Sequence, residues 1–487
     1  MHGEIHVKRF LWLIAGVCLG AALTAAVLMP WSKGADPDLD AAWADFVEGL
    51  NAAQAALTDP KRFPPPPTDR NLAEGHRYLL GHLGRMIEAQ MRMDPKFPEF
   101  FRSMDMLRKW TGENPDAIYL QAPIDGEGYF EVIGRAADTR GWRDSGRYPE
   151  SPEAPRMVIF ATITAVPGAT GNLLEMGTCR NMTVDHLSSF DIVPDSSGEF
   201  RLLIGPERPE GYEGYFLDTR AMMTCPATEE QAERSAAYLS VREIFSNWDN
   251  EKALDLSIRR LDTDGLTRPA IKSADVAERL RRIGEELPNQ VYFWQQVLEI
   301  GLEANRDMNL DGKRAMPVNG INDPAPPFTA GGVAGAGQLY AGGLFELADE
   351  EALVIKMTAP VEPHYVGLQL NNGWFEGPDQ QNYTSSLTGY QLPPASDGAR
   401  YFIIAHTDPG VTGWVDTTGI ERGAHAMRFI FREDVAAEQL PVLETSVVPL
   451  AELPNHLPAD LPRVSAEQRR AEIAARQAHI KRRWRAY

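Results

Sequence analysis

Five side chains in one short stretch have the types needed for acid–base chemistry: His406, Asp408, Asp416, His425 and Arg428. A histidine beside a carboxylate can act as a general base, and two carboxylates can divide the acid and base roles. Each residue also has a structural explanation. Asp408-Pro409-Gly410 is a turn sequence, in which proline fixes φ and glycine accepts positive φ. His425 alternates with Met427, Phe429 and Phe431, which places it on the apolar face of a strand as a core histidine. Arg428 then points to the opposite face, where it could pair with Asp416. Trp374 and Trp414 could supply an exposed stacking surface for a ligand, or could equally be core.

Two further motifs carry weaker chemistry. Asp307-x-Asn309-x-Asp311-Gly312 opens like a calcium loop, but the twelfth position, a bidentate Glu in an EF-hand, is Val318 here. A polar turn after a helix accounts for it, and no residue is assigned to a metal. The Gly-rich passage GGVAGAGQLYAGG at Gly331 lacks the Gly-Lys-Ser/Thr of a P-loop and does not match the dinucleotide fingerprint. It reads as a linker, and the sequence identifies no cofactor. Cys179 and Cys225 follow similar contexts, MGTC and MMTC, between β-like runs. In an oxidising compartment they are expected to pair, the alternative being two buried free thiols.

The elements that must position these residues read as mainly β with helical additions. Trp43, Phe46, Val47, Leu50 and Leu57 fall at helical spacing, as do Leu72, Leu79, Leu83 and Met86, with the tetraproline Pro64 to Pro67 as a stiff connector. From Asn114 short β-rich runs alternate with turn residues, as in a sandwich or barrel. Helical periodicity returns at Ser273, and Pro288 opens a further helix bearing Val291, Trp294 and Leu298. β-texture resumes at EEALVIKMTAP and lasts to about Arg432.

The two β-regions read as an internal repeat. GEFRLLIGPERPEGYEGYFLDT (Gly198 to Thr219) aligns with GARYFIIAHTDPGVTGWVDT (Gly398 to Thr417), and each is followed by a β-run bearing an arginine, YLSVREIF with Arg242 and AHAMRFIF with Arg428. The first copy carries an extra helix-like stretch at Thr228 to Ala236. Two tandem β-sandwiches follow from this, because a solenoid would need three or more units. The expected organisation is a cytoplasmic N-terminus and membrane anchor over 1–33, a helical region over 34–113 and a first sandwich over 114–260. A helical connector and Gly/Pro-rich linker follow over 261–345, a second sandwich over 346–445, and an extended segment with a basic C-terminal helix over 446–487.

The chain has 487 residues, 43% of them apolar and 24% charged, and a formal charge of -20. That balance argues against a nucleic-acid partner, which needs clustered Lys and Arg. Lys8 and Arg9 precede an uncharged run from Phe10 to Met29, about 20 residues and long enough to span a bilayer. The flanking charges predict a single-pass anchor in the cytoplasmic membrane with the body in the periplasm or outside the cell, the alternative being a cleaved signal peptide, against which the length of the run and the lack of a small-x-small cleavage site argue. Cys18 reads as an ordinary membrane-facing residue. Ser465 and Gln468 form a capping box for a C-terminal helix that carries Arg469, Arg470, Arg476, Lys481, Arg482, Arg483 and Arg485 against Glu467 and Glu472. It is expected either to lie on its own acidic body or to contact anionic lipid or a partner, with salt-sensitive contacts.

EEALVIKMTAP, NNGWFEGPDQQNYTSSLTGYQ and above all DPGVTGWVDTTGIERG resemble the bacterial domain-of-unknown-function family 1214. The stretch beginning NPDAIYLQAPIDGEGYFEVIGR is similar to its usual partner, family 1254. The resemblance implies two viral-coat-like or nucleoplasmin-like sandwiches with helical additions, and no defined activity. Gly413 departs from it, since the family commonly has Asn before Trp-Leu-Asp. The functional expectation is a membrane-anchored envelope protein that binds a small-molecule, glycan or protein ligand through its sandwiches, with an oligomer compatible. One alternative is an envelope hydrolase, with carbohydrate as a candidate substrate, using the His/Asp cluster; another is a scaffold acting through the basic tail.

Overall fold

The computed structural model describes residues 36–62, 64–299, 316–326 and 338–484. The apolar run Phe10–Met29 and the Asp307–Asp311 loop lie outside the described residues. Among the described residues no helix is long and apolar enough to cross a membrane.

The body is mainly β with helical additions, as two tandem sandwiches. The first comprises β1 (Phe101–Arg102), β2 (Ala117–Pro123), β3 (Phe130–Arg135), β4 (Met157–Ile163), β5 (Thr183–Ser188), β6 (Glu199–Gly205), β7 (Tyr215–Asp218), β8 (Arg220–Thr224), β9 (Gln231–Ser235), β10 (Tyr238–Ile244) and β11 (Asp255–Arg260). The second comprises β12 (Gln338–Glu346), β13 (Glu351–Thr358), β14 (Tyr365–Asn371), β15 (Ser386–Thr388), β16 (Arg400–Ala405), β17 (Trp414–Asp416), β18 (Arg422–Ile430) and β19 (Val442–Pro449). The second sandwich therefore starts at Gln338, inside what the sequence reads as linker, because Gly342 and Gly343 are strand residues here.

The repeat holds strand by strand. The first sandwich pairs sheet β1-β2-β10-β4-β5 with sheet β11-β3-β6-β7, and the second pairs β12-β18-β14-β15 with β17-β16-β13-β19. Removing β1 makes the orders superimpose, β2 on β12, β10 on β18, β4 on β14 and β5 on β15. The aligned segments even share an unusual feature: β6 runs parallel to β7 and β16 parallel to β17, in otherwise antiparallel sheets. The stretch Thr228 to Ala236 is not helical. Its strand β9 pairs with β8 as a hairpin, and the Cys179–Cys225 disulfide fastens the turn end of that hairpin, closing a sequence separation of 46 residues. Loop closure of that length corresponds to about 4 kcal/mol in the chain-entropy picture.

Each sandwich has its own core. Phe130, Val132, Phe160, Leu202 and Val241 fill the first, and Leu353, Ile355, Phe402, Met427 and Phe429 fill the second. β13 reads as a continuous apolar run because its other face is also covered: Ala352 and Val354 pack under Leu453 and Leu461 of the segment after β19.

Among the described residues four long helices are added: α1 (Pro37–Ala56), α2 (Asp69–Arg92), α3 (Ser273–Leu298) and α4 (Ala466–Arg483). α3 is a single helix with Pro288 inside it rather than two helices. Proline removes one i→i−4 bond, and the buried residues Ile283 and Leu287 before it and Val291 after it hold both halves on one core. α4 starts where its capping box predicts, with Ser465 Oγ accepting from Gln468 N at 3.2 Å.

Candidate functional site

The sandwiches meet through their equivalent sheets. Met157, Ile159 and Ile244 of the first pack against Tyr365 and Ile430 of the second. Beside that apolar contact lies a polar cleft, lined by Tyr119, Arg242 and Ile244 from one repeat and Gln338, Tyr340, Arg428 and Ile430 from the other, with Asn114 and Tyr365 closing it. Its cavity is about 20 Å³, room for roughly one water.

The lining is pseudo-symmetric, and strand register explains why. On β10, Arg242 stands opposite Tyr119 of β2; on β18, Arg428 stands opposite Tyr340 of β12. Each guanidinium lies by the ring of its cross-strand tyrosine, at 5.7 Å for Arg242 and 5.4 Å for Arg428. Cation–π contacts of this kind contribute about 0.5–1 kcal/mol at partly exposed sites. Arg428 donates to the Gly112 carbonyl at 2.7 Å and to Gln369 Oε1. Gln369 in turn donates to the Glu113 carbonyl at 2.8 Å.

The floor of the cleft is the segment before β2. Tyr365 donates to Asp116 Oδ2 at 2.6 Å, and Trp248 Nε1 donates to Asp116 Oδ1 at 3.1 Å. Asn114 supports both tyrosine hydroxyls, its side-chain amide donating to Tyr365 at 3.1 Å and its backbone N–H to Tyr119 at 2.9 Å. Burial pushes the Asp116 carboxyl up, while the Tyr365 hydrogen bond and the charges of Arg483, Arg476 and Arg428 pull it back. Arg476 and Arg483 come from α4, where both are buried; Arg483 donates to the Pro115 carbonyl at 2.8 Å, and its guanidinium lies 4.9 Å from the Trp248 ring. The basic helix is thus docked on the body, largely through buried guanidiniums and not through screened surface charge.

Behind the floor sits a second buried polar group. Glu376 is fully buried and ion-paired with Arg77 of α2. Glu113 Oε1 accepts from Gly377 N at 2.9 Å, and Lys109 Nζ, 4.0 Å from Glu113, donates to the Pro378 carbonyl at 2.8 Å. Glu376 Oε1 and Glu113 Oε2 have no hydrogen-bond partner among the described residues. Burial pushes Glu376 up to about 8, with Arg77 pulling it down and Glu113 pushing it further up.

The residues singled out in the sequence do not converge. His406 is held at both ring nitrogens, Nδ1 to Thr417 Oγ1 at 2.7 Å and Nε2 to the Leu347 carbonyl at 3.1 Å. A carbonyl only accepts, so Nε2 carries a proton and neither nitrogen is left to take one from a substrate. Asp408 caps its own turn at Gly410 N, 2.8 Å away, and pairs with Arg469 of α4 at 3.0 Å. Asp416 accepts from Thr418 N at 2.7 Å, and burial pushes its carboxyl up. Arg428 is bonded to Gln369 and Gly112 rather than to Asp416. His425, on the other face of β18, is buried in the second sandwich; neither ring nitrogen makes a hydrogen bond of ordinary geometry. Burial pushes it down to about 4, with the nearby Gly320 backbone a smaller opposing influence. Trp374 is buried, not exposed: its ring stacks 5.6 Å from Tyr78, and its Nε1 donates to the Asn71 carbonyl at 2.9 Å. Trp414 is half-buried, donating to the Ala405 carbonyl at 3.0 Å with the Arg469 guanidinium 5.2 Å from its ring. Among the described residues no group of three or more His, Cys, Asp or Glu side chains could hold a metal ion.

No protein-family model matches the chain, and no curated protein matches it. Among solved structures, the crystal structure of an uncharacterised protein from Burkholderia cenocepacia is similar, with a TM-score of 0.65 and 22% identity over 84% of this chain and 97% of that one. A protein from Vibrio parahaemolyticus aligns over 82% of this chain and 100% of that one, but at 10% identity and a TM-score of 0.38 it carries no argument. The first likeness shows the fold: a β-rich body with helical additions.

Proposed function

We propose that the chain is an exported, membrane-anchored protein of the cell envelope that holds a small polar ligand, without turning it over, in the cleft between its two sandwiches. Membership of the tandem families 1254 and 1214 is part of the same reading, carried by the motifs quoted above. The observation that supports the cleft most is that both repeats place the same Arg–Tyr pair at their mutual contact. Desolvating a guanidinium costs free energy that apolar side chains would not, so a contact serving adhesion alone would be expected to resemble the neighbouring Ile244–Ile430 packing. Non-catalytic binding fits the lining. Arginines, tyrosines and amides face the cleft, and the nearby carboxylate of Asp116 is already bonded to Tyr365 and Trp248.

Native mass spectrometry of the full-length exported chain tests this. A small-molecule adduct on the wild type that disappears in the Arg242→Ala/Arg428→Ala double variant is the expected result; an adduct retained by the double variant places the ligand elsewhere. The export half is tested separately by C-terminal reporters, of which one active outside the cytoplasm should work. Activity confined to a cytoplasm-specific reporter would sink it.

A further inference from the structure

We propose that the cleft is a carboxylate site: its ligand presents a single planar, monoanionic carboxylate to Arg428 and Gln338. This rests on the reading of the cleft as a ligand site and names the chemistry of what binds there.

Arg428 is the first ground. The residue is partly buried, and the oxygens its guanidinium meets are neutral, the Gly112 carbonyl, Gln369 Oε1 and the Tyr340 hydroxyl. Arginine keeps its proton at any ordinary pH, so the cleft carries a positive charge that these neutral contacts solvate without neutralising. Asp116 does not supply the missing anion, because its two oxygens accept from Tyr365 and Trp248. Among the cations that act on Asp116, Arg483 and Arg476 do so more strongly than Arg428.

Gln338 is the second ground, and an independent one. It is 7% exposed, lines the cleft, and its Nε2 has no hydrogen-bond partner among the described residues. A buried amide N–H₂ without an acceptor costs about 1–3 kcal/mol. The equivalent position in the first repeat, opposite Ile244 on β10 as Gln338 is opposite Ile430 on β18, is Ala117. The fold therefore does not require an amide there. A donor placed at a site where its counterpart is a methyl group, with no acceptor among the described residues, is accounted for by an acceptor from outside.

Geometry selects the carboxylate among anions. The cavity of about 20 Å³ admits a group of roughly water size, which suits one or two oxygens of a planar headgroup better than a tetrahedral phosphate. The flat fork of a guanidinium matches a carboxylate edge in two parallel hydrogen bonds. Tyr119, Tyr340, Arg242 and Arg428 are each partly exposed, so the mouth is open to solvent and the remainder of the ligand projects outward.

The test uses sodium acetate as the probe on the full-length chain, at constant ionic strength adjusted with sodium chloride. Acetate is expected to raise the thermal midpoint saturably, by about 2–4 °C at a hundredfold excess over Kd. Acetamide, the neutral isostere, and inorganic phosphate should leave it unchanged. Arg428→Gln should abolish the shift. Because that variant removes a structural bond as well, Gln338→Leu is the decisive one. It removes an unsatisfied amide, so the unliganded midpoint should hold or rise, while acetate affinity falls about tenfold. Full acetate response in Gln338→Leu, equal response to acetamide or phosphate, or no saturable response to acetate each overturns the proposal. If acetate is inert while the double arginine variant still loses its native adduct, the carboxylate falls and the cleft stands; if the adduct also persists, both fall.

Discussion

Glu376 shows how a single side chain can carry a pH dependence. Its folded value of about 8 lies above the ordinary 4.5 because burial disfavours the anion, and Arg77 recovers only part of that cost. Glu74 of α2 and Glu113 add repulsion, while Lys109 adds attraction. Between those two values the unfolded chain has released a proton that the folded chain keeps. Stability from this group is therefore complete below 4.5 and is lost as pH rises toward about 8, with a slope of at most about 1.4 kcal/mol per pH unit. Glu376→Gln should remove that slope, so urea midpoints of variant and wild type should converge or cross between pH 5 and 8; parallel profiles would show that the carboxyl is ionised throughout. Little of this was legible in the sequence, since Glu376 and Glu113 are brought together only by the fold. The arginines Arg242 and Arg428 were legible as counterparts in a repeat, but Tyr119 and Tyr340 were not, because a cross-strand partner far along the chain needs a register. His406, Asp416 and Arg428 failed as a cluster for the converse reason: neighbours in sequence were sent to different strands and faces.

At the scale of elements, the crossing of α1 over α3 is a contact with no room to spare. A Cβ at Gly49 would lie 2.0 Å from the Gly284 carbonyl oxygen, and one at Gly284 would lie 2.9 Å from the backbone of Asp45 and Phe46. The helices touch backbone to backbone, with no flexible side chain able to give way. Gly49→Ala should raise intrinsic helix propensity yet destabilise the protein by about 1–3 kcal/mol through overpacking, seen as a lower midpoint of the 222 nm ellipticity. A raised midpoint would mean the helices do not cross so closely. Periodicity alone located both helices, but it broke α3 at Pro288, where packing on either side outweighs the lost hydrogen bond. It also read Thr228 to Ala236 as helix-like. That stretch is rich in Glu, Gln and Ala, and pairing with β8 next to a disulfide overrides local preference.

For the whole molecule, α4 bridges the two sandwiches in addition to their direct contact. Arg476 donates to the Gln380 carbonyl of the second sandwich at 3.2 Å, and Arg482 donates to the Trp248 carbonyl of the first at 2.7 Å. Arg483→Ala would leave Asp116 with less compensating charge, so we expect about 2–4 kcal/mol of destabilisation and a red shift in tryptophan emission as Trp248 becomes wetter. Because these contacts are buried, the loss should persist at high salt; a loss that disappears in 1 M salt would return the helix to the surface. The sequence showed an excess of basic residues but not their destination, since charge counts do not distinguish a guanidinium facing water from one set on an indole. The tandem sandwiches were legible because Gly-aromatic-Asp-Thr signals recur around strands that pair in parallel. Their face-to-face contact has a further consequence. Two identical halves would present a ligand with two equivalent ways round, and Gln338 opposite Ile430 and Tyr365 opposite the same residue replace Ala117 and Met157 in the other half. The lining is thereby asymmetric, and a ligand bound as proposed would have one orientation, its head at the second repeat and its tail at the first.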